Sequence, residues 1–294
     1  GKSMTLKCIA GIETPDTGRI VLNGRVLYDS ERGINLPVQH RNVGMLFQQY
    51  ALFPHMTVRQ NIEFGLRAGK GKKELADTMV RICHLEGKLD KYPSQLSGGE
   101  QQRTALARSM SMEPELLLLD EPFHALDAYL KEGLQLELME VLRAYKGNII
   151  MVSHSRDELY RFCNVISVLH QGHIIERGTK TEIFENTKEV STAKLTGCKN
   201  ISRAVKISEH AVKALDWNRI LYTGKKVEDS VQYIGIRAHD LLPWDNRIPS
   251  GNILPVSLLE ISEGPYECSL IFQIEQSGEN RNADNCITAE QSIK

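Results

Sequence analysis

Apolar residues along the first part of the chain alternate between two patterns. Short unbroken apolar runs predict buried strands of a parallel sheet, at residues 43–47, 116–119 and 149–153. Between them, apolar residues recur at every third or fourth position, which predicts helices at residues 4–10, within about 57–111, and at 128–145. Strands alternating with helices predict an α/β fold.

The pattern changes near residue 196, where helical periodicity fades. Short alternating segments then predict strands at residues 201–207, 211–216, 220–223, 231–237, 253–261 and 266–274. Such a series is typical of a small β-barrel domain. We therefore expect two domains, 1–195 and 196–294, with the polar end at 276–294 forming a mobile tail or a truncated edge.

One helix start has the features of an anion site. Ser97 can cap the helix, and Glu100, three positions later, completes a capping box. Gly98 and Gly99 follow the cap, so a ligand could approach the backbone closely. Free N–H groups and the helix dipole favour a phosphate there. An ordinary capped helix with no ligand explains the same residues.

Two acids follow the most apolar of the predicted strands. Leu116–Leu119 run directly into Asp120, Glu121 and Pro122. Ligands of open α/β sheets bind at the carboxyl ends of the strands, so both acids are candidates for a site. A strand that ends in a solvated acidic turn is the alternative.

Together these two stretches resemble the ATP-binding subunit of ABC transporters. Residues 96–103 resemble the family's signature motif, and residues 116–121 its Walker B strand, at the usual spacing. The resemblance implies a P-loop ABC ATPase core with a helical subdomain at about 57–111. The segment from residue 196 would be a small all-β domain of the OB/TOBE-like kind. ATP and Mg²⁺ are the implied cofactors.

The chain opens on Gly1-Lys2-Ser3, the last three residues of a G-x-x-x-x-G-K-[ST] loop. In that role Lys2 contacts the β- and γ-phosphates, and the Ser3 hydroxyl binds Mg²⁺. We expect the chain to be truncated within this Walker A motif, and to bind ATP more weakly than a form with the whole loop. By itself the tripeptide is weak evidence.

Further site residues follow from the resemblance. Gln48 and His154 stand at the ends of predicted strands, and the family assigns them, with Glu121, to catalysis. Asp120 and Gln48 would join Ser3 at the metal, with Glu121 as general base. Apart from this resemblance, Gln48 would be a surface amide and His154 a packing or surface residue. The nucleotide-binding set is Gly1, Lys2, Ser3, Ser97, Gly98, Gly99, Gln101 and Asp127.

The resemblance also implies partners. Two phosphate-binding helix starts in one chain fit a head-to-tail homodimer, in which Ser97 and Gly99 of one copy close over the ATP on Lys2 of the other. Residues 48–55 would meet an integral membrane permease at the cytoplasmic face of the cell membrane, and a periplasmic or extracellular binding protein would deliver the solute. His124 stands where the family usually has Ser.

The solute is predicted less directly. Residues 196–201 resemble the corresponding stretch of molybdate-importer ATPases, whereas sulfate, polyamine, sugar and iron importers are alternatives.

Composition narrows the functional classes. The 294 residues have a formal net charge of −1, which gives no electrostatic case for nucleic-acid binding. No apolar run reaches the roughly 18 residues of a membrane-spanning helix. The six cysteines are scattered, without the spacing of a zinc site. We therefore expect a reducing, cytosolic compartment and no structural metal.

Three other functions fit part of the sequence. A soluble ABC ATPase of DNA repair or translation usually has coiled-coil insertions or tandem cassettes, which are not seen here. A P-loop kinase does not contain a motif like that of residues 96–103. An inactive or regulatory chain stays open because the phosphate loop is incomplete.

Overall fold

The computed structural model describes residues 1–66, 72–123, 128–243, 252–263, 267–275 and 286–292. It divides into two compact units, residues 1–164 and 165–294. Among the helices in these ranges, none combines the length and apolar character that crossing a bilayer demands.

The first unit has both helices and strands, as predicted. Its helices are α1 (Lys2–Ala10), α2 (Val38–Arg41), α3 (Val58–Phe64), α4 (Lys72–Ile82), α5 (Gly98–Met110), α6 (Ala128–Ala144) and α7 (Arg156–Phe162). Its strands are β1 (Arg19–Leu22), β2 (Arg25–Asp29), β3 (Ile34–Asn35), β4 (Val43–Leu46), β5 (Leu116–Asp120) and β6 (Asn148–Val152).

A parallel sheet in the order β4–β5–β6 is the centre of this unit. Every residue of β5 is buried, as the run of leucines predicts. The prediction of a buried strand at 149–153 is wrong in one respect, because the side chains of Ile149 and Ile150 are 38% and 40% exposed. In the described sheet β6 is an outer strand and has a neighbour on one side only. All three strands end at the same edge.

Helix α1 is fixed at its C-terminal end. Gly11 takes the left-handed conformation, with φ 83°, that ends many helices. Beside it the fully buried Arg41 guanidinium donates to three carbonyls and one side-chain oxygen, on Cys8, Ile9, Leu36 and Asn35. A cation at a helix C-terminus also interacts favourably with the helix dipole. This arrangement sets the position of the whole helix.

The predicted helical segment contains α3, α4 and α5. Thr57 and Gln60 form a capping box at the start of α3. On and just after α4, Met79 and Cys83 are buried in the main core of the unit, and Leu75 and Ile82 pack against it. Burial raises the pKa of the Cys83 thiol to about 12, so this cysteine is a small apolar core residue.

The second unit is mostly antiparallel. The hairpin of β7 (Val165–His170) and β8 (His173–Thr179) leads into α8 (Lys180–Glu185) and α9 (Val190–Leu195). Two sheets follow, in the orders β11–β10–β9–β12 and β13–β14–β15. Their strands are β9 (Asn200–Ser208), β10 (Ala211–Ala214), β11 (Arg219–Tyr222), β12 (Tyr233–Ile236), β13 (Val256–Glu263), β14 (Glu267–Ile274) and β15 (Cys286–Ser292). Both sheets contribute to one core that contains the buried Trp217.

The C-terminal end differs from the sequence prediction. Residues 286–292, predicted to belong to a tail, form β15 and pair with β14. Ile287 and Ala289, two positions apart, are both buried. The residues around them are mostly polar, so the sequence pattern does not predict a strand here. The predicted domain boundary at residue 196 also lies inside the second unit, because Arg237 donates to the carbonyls of Phe184 and Thr196. That boundary stays a prediction about domain organisation.

Candidate functional site

The end of β5 places two carboxylates at the edge of the central sheet. Asp120 is the last residue of the strand and is buried. Glu121 follows in the left-handed conformation, with φ 47°, and its N–H donates to the Val152 carbonyl of β6 at 2.9 Å. A glutamate with positive φ is uncommon, and such backbone strain is found most often at functional sites. The strand end is therefore a candidate for chemistry.

The start of α1 meets Asp120. The Ser3 hydroxyl donates to Oδ1 of Asp120 at 2.8 Å. A hydroxyl and a carboxylate oxygen side by side are the hard oxygen ligands that Mg²⁺ takes in nucleotide sites. Ser3 and Asp120 therefore fit the metal that accompanies ATP. At the same helix start Gly1 is the N-cap, and its carbonyl accepts from the Thr5 N–H at 3.0 Å.

A chain of polar contacts joins Lys2, His154 and Glu121. The Lys2 ammonium lies 3.1 Å from Nδ1 of His154, and Nε2 of His154 lies 2.8 Å from a carboxylate oxygen of Glu121. An ammonium has no acceptor, so Nδ1 must accept and the ring proton lies on Nε2, directed at Glu121. The His154 side chain is 70% exposed and that of Glu121 15%. A ligand can therefore reach the histidine.

Gln48 follows β4 at the same sheet edge and is exposed. Within the described ranges, no hydrogen bond links its side chain to the Lys2–His154–Glu121 chain. The structure thus brings Lys2, Ser3, Asp120, Glu121 and His154 together and leaves Gln48 beside them.

The second predicted anion site lies at the start of α5. Its capping box is present: the Ser97 hydroxyl accepts from the Glu100 N–H at 3.3 Å, and Glu100 accepts from the Ser97 N–H at 2.9 Å. Ser97 and Gly98 are exposed, and Gly99 is buried. The Gln101 amide instead donates to carbonyls of the preceding segment, those of Pro93 and Leu96.

The two helix starts are separate in one chain. In the described part of the molecule, no hydrogen bond or ion pair joins residues 97–101 to Lys2, Ser3 or Glu121. Asp127 and the unusual His124 lie outside the described residues. The nucleotide contacts predicted for these positions stay predictions.

Arg108, near the end of α5, makes contacts that the sequence did not predict. Its guanidinium donates to the carbonyls of Tyr50 and Ala51 at 3.1 and 2.8 Å and lies over the Phe53 ring. Tyr50 and Ala51 both have positive φ, 58° and 46°, so Arg108 stabilises a strained loop after Gln48. Burial lowers the pKa of Arg108. An arginine on a helix gives no sequence signal for such a contact.

Comparison with known proteins agrees with this geometry. Residues 1–124 match the ABC transporter family model. The chain is 41% identical over 201 residues to the Fe(3+) ions import ATP-binding protein FbpC of Haemophilus influenzae, covering 67% of this chain and 57% of that protein. It is 42% identical over 209 residues to the sulfate/thiosulfate import ATP-binding protein CysA of Thermosynechococcus vestitus, covering 69% and 60%.

Another relative is the spermidine/putrescine import ATP-binding protein PotA of Lawsonia intracellularis, 41% identical over 204 residues, 67% of this chain and 53% of that protein. The chain thus spans between half and two-thirds of the length of these curated relatives.

Two solved structures have the same fold. CbiO1 of Clostridium perfringens, part of the ABC transporter complex cbiONQ, has a TM-score of 0.55 at 27% identity, covering 66% of this chain and 79% of that one. The ATP-binding cassette MJ0796, a dimer bound to ADP and Pi, has a TM-score of 0.50 at 26% identity, covering 61% and 81%. Residues 1–124 of this chain therefore match the ABC transporter family, and the fold is that of the ABC ATPases.

Proposed function

We propose that the protein is the ATP-hydrolysing subunit of an ABC import system. One observation supports this most strongly: the Lys2–His154–Glu121 chain and the Ser3–Asp120 pair meet at one edge of a parallel sheet. A cation, a metal-binding pair and a carboxylate base are the parts that phosphoryl transfer to water requires.

Each residue has a part in the reaction. Lys2 binds the phosphates at the start of α1, while Ser3 and Asp120 hold Mg²⁺, which when bound neutralises phosphate charge. Glu121 accepts a proton from the attacking water as general base. The Nε2–H of His154 holds the Glu121 carboxylate in place, and its ring keeps Lys2 near the reacting phosphate. Gln48, at the neighbouring strand end, orients the water. Positioning and charge neutralisation supply most of the rate.

A second copy of the chain completes the site. Ser97, Gly98 and Gly99 of one copy close over the ATP on Lys2 of its partner, with Gln101 and Asp127 beside them. ATP then joins two copies head to tail, and hydrolysis releases them. The free helix start at Ser97, separate from the Lys2 cluster, supports this arrangement.

The permease docks beside Gln48, at the cytoplasmic face of the membrane. Phe64 is 61% exposed, and its ring packs on Phe53 with centroids 4.5 Å apart. The exposed Phe64 ring at the end of α3 and the half-buried Phe53 ring, which lies on the loop stabilised by Arg108, provide an apolar surface for a permease helix. A binding protein outside the membrane supplies the solute.

The solute is a small ion or a polyamine. The relatives named above import Fe(3+), sulfate or thiosulfate, and spermidine or putrescine. Molybdate, predicted from residues 196–201, is an oxyanion like sulfate and stays within this proposal. Uptake of each labelled solute by cells with and without the protein would distinguish them.

Replacing the general base tests the proposal. We expect Glu121→Gln to abolish Mg-ATP turnover and to trap an ATP-bound dimer, because the amide cannot accept the proton. Turnover and dimer formation are measured in the 294-residue chain and in a form with a complete G-x-x-x-x-G-K-S loop.

Glu140→Gln, an exposed change on α6, is the matched control and keeps full turnover. Normal turnover by Glu121→Gln would remove Glu121 from its role. If neither the 294-residue chain nor the form with the complete loop hydrolyses ATP when Glu121 is intact, an inactive or regulatory chain is favoured instead.

A further inference from the structure

The helix that starts after Ser97 has a negatively charged side chain, Glu100, and both oxygens of its carboxylate are paired. Glu100 lies in the first turn of α5, and its side chain is 16% exposed. One carboxylate oxygen accepts from the Ser97 N–H at 2.9 Å. The other lies 2.7 Å from the Lys88 ammonium, whose side chain is 35% exposed. Both oxygens of Glu100 therefore have partners.

A lone carboxylate at this position would oppose the binding of an anion. The helix dipole and the free N–H groups attract a phosphate, but a full negative charge in the same turn repels it. ATP with Mg²⁺ still has net negative charge, so an uncompensated Glu100 would weaken closure over the nucleotide. An amide at this position would cap the helix without the charge.

Lys88 supplies the missing compensation. We propose that Lys88 is a positioning residue that neutralises Glu100, so that the Ser97 helix start can receive the nucleotide bound to a second copy of the chain. This inference rests on the proposed function, because it presumes closure of the dimer over ATP.

Two further contacts support the assignment. The Lys88 backbone is fixed in a tight segment, with its N–H donating to Leu85 and its carbonyl accepting from Lys91. The neighbouring cation Arg103 is paired with Glu137. The contact with Lys88 lowers the pKa of Glu100, and that with Glu100 raises the pKa of Lys88, as a matched pair should.

A double-mutant cycle of Lys88 and Glu100, made in the Glu121→Gln protein, tests the inference. The protein carries a complete phosphate loop, and the ATP concentration for half-maximal dimerisation is measured by light scattering. We expect Lys88→Gln to raise this concentration about tenfold, the effect of one unpaired charge near the nucleotide. The double variant Lys88→Gln with Glu100→Gln should return to the starting value, because glutamine keeps the capping box without the charge.

The salt dependence of dimerisation distinguishes an electrostatic role of Lys88 from a steric one. The deficit of Lys88→Gln should shrink as ionic strength rises, since exposed charges are screened. Lys146→Gln, which removes an equal charge from an exposed position of the same unit, should have no effect. Thermal unfolding of every variant checks that the fold is retained.

Each outcome has a distinct meaning. If the Glu121→Gln protein does not dimerise with ATP, the proposed function fails. If it dimerises and Lys88→Gln matches Lys146→Gln, the role of Lys88 is overturned. A deficit that persists in the double variant and at high salt would show a purely structural contact, which also overturns the inference.

Discussion

At the scale of single residues, His154 has the most telling position. Its two ring nitrogens contact Lys2 and Glu121, so one side chain ties the phosphate-binding helix to the proposed base. Because the side chain is largely exposed, these contacts contribute little to the stability of the fold. We therefore expect its replacement to affect the proposed reaction more than the stability of the fold.

We expect His154→Ala to lower kcat by about 10²-fold to 10³-fold, the cost of removing one preorganised polar contact in an active site. The KM for Mg-ATP should change less, because Lys2 and Ser3 remain. Steady-state hydrolysis of both proteins measures the effect, with the exposed His170→Ala as control. Unaltered kcat in His154→Ala would assign the histidine to the surface.

Sequence reasoning finds residues that follow a strand or begin a helix. Asp120 and Glu121 are predicted because ligands of open α/β sheets bind at the carboxyl ends of the strands, and His154 is predicted from the family resemblance. The direct contact of Lys2 with His154 is not, since the two are 152 positions apart. Arg108 and Lys88 were missed because a charged residue on a helix or turn usually faces solvent.

At the scale of elements, one buried side chain joins the two sheets of the second unit. Asn200, at the start of β9, donates to the Thr288 carbonyl at 2.8 Å and accepts from the Thr288 N–H at 2.6 Å. These bonds replace a strand-to-strand ladder between β9 and β15. Asn200 is only 3% exposed, so little water can reach this position. Loss of its side chain would therefore leave both backbone groups of Thr288 unpaired.

Asn200→Ala should therefore lower the free energy of unfolding by about 1–3 kcal/mol. Denaturant unfolding of the chain measures the change. Thr288→Ala is the matched control, because it keeps the two backbone groups that Asn200 contacts and should stay near the unmodified value. A stable Asn200→Ala protein would mean that water or another group satisfies Thr288.

Element prediction succeeded where the local pattern was strong. The leucine run of β5 and the Ser97 capping box are both present. It failed at β15, where Ile287 and Ala289 are the few apolar residues of a polar segment and only pairing with β14 reveals the strand. Pairing partners are distant in sequence, so a local pattern cannot show them.

At the scale of the whole molecule, the two helix starts are the separate halves of the proposed site. Lys2 and Ser3 lie at the sheet edge with Asp120, and Ser97 lies on its own helix with no described contact to them. The proposed dimer brings the halves together from different copies. Activity should then depend on the Ser97 surface even though no described hydrogen bond or ion pair joins it to Glu121 within one chain.

Ser97→Arg should block dimer closure and abolish ATP hydrolysis, while nucleotide binding to the separate subunit is spared. A bulky cation at the helix start removes the cap and occupies the space of the partner's nucleotide. Nucleotide titration and sedimentation are measured together, and Ser94→Arg, at an exposed position of the preceding segment, is the control. Hydrolysis at the normal rate by Ser97→Arg would count against the dimer.

The buried guanidinium of Arg41 has a consequence at a distance. Helix α1 is a rod of nine residues, about 13 Å long, with its far end fixed by Arg41 and its near end bearing Lys2 and Ser3. Loosening the far end would displace both ligand-binding groups together. A genetic screen for loss of the proposed uptake should therefore recover position 41 among the damaging alleles, although the Arg41 guanidinium contacts the far end of α1 and not Lys2 or Ser3.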